Sequence, residues 1–346
     1  MDIQTKFLVL SDTHGEALLA PSVPIDVVIH CGDLTEESKI EEIKASIKLL
    51  KEIDAPLKLV IAGNHDFTLD LPAFKKKLAD HNPPLDAALV KLEYGDFGEA
   101  RALLDDAKQA GVVFLDEGTH NFTLANGAAL TVYASPYTPS LSEGGFQYKP
   151  KDEHEWAIGT ADVVITHGPP RGILDYTDSK ERAGSPSLFA AVARAQPRMH
   201  CFGHIHEGWG AKQVTWRSHL SELRSHFTDI DNDSSTLFEN LATIHPRKYD
   251  SADDVAEKRT KLEDYTQKRY CKASPSFLQP GNQTLFVNAA IEGTMEHPRQ
   301  LPWLIDIDLP NAQPSLSHTR KRKGASEMPC DVEKPAKRTD LHTEST

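Results

Sequence analysis

Five short blocks of this sequence combine carboxylate, amide and imidazole groups: Ser11-Asp12-Thr13-His14, Cys31-Gly32-Asp33, Gly63-Asn64-His65-Asp66, His167-Gly168-Pro169-Pro170 and Gly203-His204-Ile205-His206. Those donors suit divalent ions of intermediate hardness such as Mn, Fe, Zn or Mg. Asp12 with His14, and His204 with His206, stand two residues apart, so on an extended chain both members of a pair face one way. Gly32, Gly63 and Gly203 allow a tight turn just before a ligand. A lone aspartate would read as a cap or turn residue; five blocks in succession do not. His30 and His200 sit inside apolar runs and read as core histidines.

Each block follows an apolar run that reads as a buried strand. Such runs fall at 7–10, 27–30, 57–62, 112–114, 130–134, 163–166, 199–202 and 285–288. Most lack polar alternation, as strands covered on both faces do. Helical spacing fills the gaps. Residues 35–53 place Ile40, Ile43, Ile47 and Leu50 on one face, with Ser38 and Glu41 as the expected capping box. Residues 98–110 stop at Gly111, and Ser185-Pro186 opens another helix. Alternating strands and helices make an α/β domain, and in such sheets sites form at the carboxyl ends of strands. The five blocks are therefore expected to converge on one edge.

Composition narrows the function classes. The chain has 346 residues, 39% of them hydrophobic, and a formal net charge of −13. So acidic a chain is a poor general binder of nucleic acid, and no stable nucleic-acid partner is expected. No run reaches the ~18 apolar residues of a membrane span, and residues 1–6 lack the order of a signal peptide. Four cysteines fit neither a disulfide framework nor a paired zinc motif. A reducing compartment, cytoplasm or nucleus, is the expectation. Residues 211–283 turn polar, with helical spacing at 253–267, and read as an insertion without a strand of the core type. Residues 311–346 are rich in Pro, Ser, Thr, Lys and Glu and read as a disordered tail. That tail carries Arg320-Lys321-Arg322-Lys323 and Lys334-Pro335-Ala336-Lys337-Arg338, spaced like a bipartite signal for an import receptor.

The order D-x-H, G-D, G-N-H-D, H-G, G-H-x-H resembles the calcineurin-like metallophosphoesterase superfamily. His167-Gly168-Pro169-Pro170-Arg171-Gly172 with Leu174-Asp175, and Phe202-Gly203-His204-Ile205-His206-Glu207-Gly208, resemble its metallophosphoesterase-domain-containing branch, as do Ser135-Pro136-Tyr137 and Phe146. The resemblance covers about 6–210 and 284–309, with Val287-Asn288-Ala289 as the closing block. It implies a four-layer α/β/β/α sandwich: two mixed sheets facing each other, flanked by helices. It also implies roles. Asp12, His14 and His206 would hold one metal, Asn64, His167 and His204 the other, and Asp33 would bridge them. A hydroxide held between the ions would attack phosphorus in line. His65 would protonate the leaving oxygen, and Asp66 would orient His65. Arg171, from its charge and position, is expected to meet a phosphate oxygen. Both histidines of the last block are present, where some members of the branch carry a glycine in place of one.

The expected activity is metal-dependent hydrolysis of a small phosphodiester such as a cyclic nucleotide, with two divalent ions (Mn expected; Fe, Zn, Mg, Ni or Co as alternatives). A phosphomonoesterase or protein phosphatase would use the same ligands. A non-catalytic, metal-stabilised nuclear interaction protein is the reading outside enzymology, and the complete ligand set argues against it.

Overall fold

The computed structural model describes residues 2–275 and 278–312; the basic segments at 320–323 and 334–338 lie outside these residues, as does the tail expected from 311, except for Asn311 and Ala312, which pair with the chain near Gly127 and Ala128. Within them the apolar runs do become strands. Strands β1 (Ile3–Leu10), β2 (Val27–His30), β3 (Leu57–Val60) and β4 (Val112–Phe114) lie side by side and parallel. β5 (Gly118–Thr123) and β6 (Ala129–Ser135) form an antiparallel pair. β7 (Thr138–Pro139) and β8 (Gln147–Tyr148) make a short separate ribbon. β9 (Val163–Thr166) and β10 (Met199–Phe202) follow, then β11 (Gly210–Trp216), β12 (Ile230–Asn240), β13 (Cys271–Ala273), β14 (Gln283–Asn288) and β15 (Trp303–Leu309).

These strands assemble into two mixed sheets. The first has the order β13-β15-β1-β2-β3-β4, with β15 antiparallel to β1; the second has the order β12-β11-β14-β10-β9-β6-β5, with β14, β10, β9 and β6 parallel. Side-chain alternation then sets the layers. Phe7, Val9, Val27 and Ile29 of the first sheet share one buried core with Val132, Val163, Ile165 and Val287 of the second, so the sheets face each other. The opposite face of β1, Leu8 and Leu10, packs under α1 (Ile40–Glu52) through Ile43, Ile47 and Leu50. The opposite face of the second sheet, with Val164 and Phe202, packs under a helix at Pro186–Ala195 through Leu188, Phe189 and Val192. Each such side chain contributes ~1.5–3 kcal/mol on burial. The result is the expected four-layer α/β/β/α sandwich.

Three expectations need correction. Ser38 does not cap α1: its Oγ bonds Thr68 Oγ1 at 2.8 Å, and Glu42, one turn in, accepts from Lys39 N at 2.9 Å instead. The segment 211–283 does contain strands of the core type. β11 lies between β12 and β14, with Ala211, Val214 and Trp216 buried. Its central Lys212-Gln213 pair breaks the apolar run, which hides the strand in the sequence. β12 is a polar edge strand, and β13 adds to the edge of the first sheet. Finally, β14 is not the last core strand, because β15 returns to pair with β1 along Ile3↔Leu309 to Val9↔Trp303. No helix among the described residues is long and apolar enough to cross a membrane.

Candidate metal centre

The ligand blocks sit where parallel strands end. Residues 11–14 leave β1, 31–33 leave β2, 63–66 follow β3, His167 follows β9, and 203–206 follow β10. Sheet pairing brings these ends to one edge. Backbone bonds then lock the loops together: Asp12 N donates to Gly32 O at 2.9 Å, His14 N to Asp33 O at 3.2 Å, and Gly203 N to His167 O at 2.9 Å. Asp12, His14, Asp33 and His204 all adopt positive φ, between 47° and 66°. Such non-glycine strain clusters at functional sites. Two glycines are dictated by crowding. A Cβ on Gly63 would lie 2.3 Å from Asp33 Oδ1, and one on Gly203 would meet the Asp12 carboxylate.

Two groups of donors result. In one, Asp12, His14 and His206 present ligand atoms within 4.8 Å of one another; in the other, Asp33, His167 and His204 do so. Asn64 joins the second group, its Oδ1 lying 3.0 Å from His167 Nε2, which is itself 3.2 Å from Asp33 Oδ2. The groups touch, since His204 N donates to both oxygens of Asp12 at 3.0 Å. Thus all seven expected ligands are assembled. Asp12 and Asp33 are buried at 0% and 2% exposure, and among the described residues their ion pairs are with histidines.

Protonation reflects that crowding. Burial disfavours a charged imidazole at His167, but the Asp33 carboxylate outweighs it and pushes the pKa up to about 9. His206 also rises to about 9, against burial, through its bond to Asp12. His204 falls to about 4 from burial and the neighbouring His167. Two buried carboxylates that meet imidazoles and backbone N–H groups, with no Lys or Arg paired to them among the described residues, make an electrostatic sink for cations. Oxygen and imidazole donors around it fit divalent metals, so the residues present suit such ions.

His65 stands at the rim. Its ring lies edge-on to His14, centroids 4.8 Å apart, and its Nδ1 sits 2.6 Å from the Glu36 carbonyl. Asp66 does not touch that ring, which corrects the expectation that it orients His65. Asp66 is fully buried and accepts from Gly63 N at 2.8 Å, Leu34 N at 3.1 Å, Thr35 N at 3.0 Å and Thr35 Oγ1 at 2.7 Å. It ties the loop after β3 to the loop after β2. Arg171 is exposed, and none of the contacts that assemble the cluster involves it. Trp209 packs in the core, stacked on Trp303 with centroids 4.8 Å apart. His30 and His200 bond Thr13 and Thr166 inside the core, as expected.

Two acids escaped the sequence reading. Glu36 Oε2 lies 2.7 Å from His14 Nδ1, and Glu292 Oε2 lies 3.0 Å from His14 Nε2. With Asp12 and His14 they line a cavity of about 390 Å³. Glu36 was within reach, three residues after Asp33. Glu292 was not, because it arrives from the far end of the chain through Glu292 N→Asp12 O at 3.0 Å.

Ligand groups of this composition, at the carboxyl ends of strands in a sandwich of two mixed sheets, define a metallophosphoesterase-type centre. The sequence profile of the calcineurin-like phosphoesterase family matches residues 5–208, and the chain belongs to that family. It is 32% identical over 213 residues to metallophosphoesterase domain-containing protein 1 of Homo sapiens, covering 60% of this chain and 62% of that protein. It is also 32% identical over 218 residues to a probable rhamnogalacturonate lyase C of Emericella nidulans, covering 62% of this chain but 18% of that protein. The chain thus spans less than two thirds of these relatives. A crystal structure of TT1561 from Thermus thermophilus aligns with 61% of this chain and 84% of its own at TM-score 0.40 and 14% identity.

Proposed function

We propose that this protein hydrolyses small phosphodiesters, cyclic nucleotides among them, with two divalent ions held by the two donor groups. The observation that carries the reading is the pair of groups built on the buried carboxylates Asp12 and Asp33. Asp12, His14 and His206 would hold one ion; Asn64, His167 and His204 the other; Asp33 would lie between them. Bound ions would supply positive charge to the phosphoryl oxygens and lower the pKa of water toward neutrality.

The chain's own groups supply the rest. His65 donates its Nδ1 proton to the Glu36 carbonyl, which leaves Nε2 for the substrate. Burial works against a protonated ring there, but Asp33 and the Glu36 carbonyl outweigh it and raise the pKa. A protonated Nε2 can pass its proton to the leaving oxygen, a step worth ~10²–10⁴ in rate. Glu36 Oε2 and Glu292 Oε2 stand beside opposite nitrogens of the His14 ring, at 2.7 and 3.0 Å.

The test is hydrolysis of bis-p-nitrophenyl phosphate and p-nitrophenyl phosphate with added Mn²⁺, for wild type, Asp33→Ala and His65→Ala. The expected result is diester preference, with both variants impaired. Monoester preference would favour a phosphomonoesterase. Activity on neither ester, or full activity in Asp33→Ala, would sink the enzymatic reading.

A further inference from the structure

A second cleft opens beside the metal centre. Its volume is about 780 Å³, twice that of the cavity at His14. Two segments belong to both. The turn at 206–208 carries His206 to Asp12 and Glu207 into the cleft. The loop after β14 carries Glu292 to His14 and then Thr294, Glu296 and His297 into the cleft. A substrate whose phosphodiester lay against the donor groups would therefore extend into this space.

The cleft's cations are its distinguishing feature in a chain of net charge −13. Lys180, Arg182, Lys212, Arg247 and Lys248 line it, from three separate stretches of chain. The acids there are Asp175, Asp178, Glu207 and Glu296. Asp175 is spent on Arg182 Nη1 at 2.8 Å and on Gly172 N and Gly184 N. Glu207 Oε1 accepts from Asp178 N at 2.9 Å. Arg182 is thereby fixed, with its guanidinium 4.9 Å over the Tyr176 ring. Lys212 stands on β11 with one long contact, Nζ to Asn232 Oδ1 at 3.4 Å. No carboxylate pairs with it among the described residues, and half-burial with the neighbouring Arg182 charge depresses its pKa. The charges of Arg182, Arg171 and Lys212 also bear on His226, opposed by Asp175, and its Nε2 is shut off from solvent without a hydrogen-bond partner among the described residues.

We propose that this cleft is a subsite for a second phosphate group on the substrate, separate from the ester that is cleaved, with Lys212 and Arg182 as its anchors. The proposal rests on the phosphodiesterase reading for its substrate class. It makes the preferred substrate a diester that carries an additional terminal phosphate.

The experiment uses a matched pair: thymidine 5′-(p-nitrophenyl phosphate) with and without a 3′-phosphate. The wild type should show KM about tenfold lower for the 3′-phosphorylated member, the gain of one charge-assisted contact. Lys212→Met should remove most of that ratio and Lys212→Arg should keep it. Titration calorimetry with thymidine 3′,5′-bisphosphate against thymidine 5′-monophosphate reads the same preference without turnover. Equal KM values and equal binding, or a ratio untouched by Lys212→Met, would overturn the proposal. No hydrolysis of either diester, together with retained preference in calorimetry, would overturn the hydrolase reading and leave the phosphate subsite standing.

Discussion

Asp66→Ala should cost this protein ~3–5 kcal/mol of stability, and the figure follows from its contacts. The carboxylate is fully buried and takes four hydrogen bonds, three of them from the backbone N–H groups of Gly63, Leu34 and Thr35. Truncation strands those three donors in a site closed to water, at ~1–3 kcal/mol each. Part of that loss is offset. Burial and the nearby Asp33 charge push the Asp66 pKa up to about 6, so the ionised group is itself held at a cost. Thr35→Val, which removes a single hydroxyl donor from the same carboxylate, should cost only ~1 kcal/mol. The assay is urea unfolding followed by circular dichroism, comparing midpoints at constant m. The reasoning about a loop staple fails if Asp66→Ala unfolds within ~1 kcal/mol of wild type. A group that merely oriented His65 would instead lower kcat and leave stability intact, so the two roles separate cleanly.

Gly63→Ala forces a methyl group to within 2.3 Å of Asp33 Oδ1 and 2.7 Å of His167 Cε1; with the fold retained by circular dichroism, kcat/KM for bis-p-nitrophenyl phosphate should fall ~10²-fold, since a displaced ligand costs about that much. Chelation should lower the melting temperature and excess Mn²⁺ should restore it, measured by scanning fluorimetry, because metal binds the folded donor set; an unchanged melting temperature in wild type would contradict metal stabilisation. Asp306 is partly buried, which alone would raise its pKa, but Lys6 at 2.7 Å and Lys272 at 3.2 Å outweigh this and lower it. Its folded pKa therefore lies below the unfolded value of 3.8, so its contribution is present above that pH and is lost as pH falls through the folded value. The melting-temperature gap between wild type and Asp306→Asn should be open at pH 7 and narrow as pH falls below 3.8 and through the lower folded value. Trp303→Ala, which breaks the stack on Trp209 and the bond from Nε1 to Asn288 O at 3.2 Å, should destabilise by ~3–5 kcal/mol in the same urea assay.

What the sequence discloses, and what it hides, follows from whether a signal is local. The ligand blocks are legible because strand, turn and ligand are contiguous: a run such as 163–166 predicts its strand, and His167 must then sit at the strand's end. The helix at Pro186–Ala195 is legible for the same reason, with Ser185 accepting from Leu188 N at 3.2 Å at its start. β11 is not, because Lys212 and Gln213 interrupt it; its place in the sheet is decided by pairing with β14, some seventy residues on. Lys212 is the instructive residue. A lysine mid-strand reads as evidence against a buried strand, yet β11 holds it on the wall of the cleft beside Arg182. Glu292 behaves likewise: only the backbone bond to Asp12 O gives it meaning. Lys212 violates a local rule, Glu292 depends on a distant pairing, and both line cavities. Such a violation is expected where function outweighs local stability. The polar interruption that obscures β11 in the sequence is thus the same feature that nominates a second phosphate-binding group in the structure.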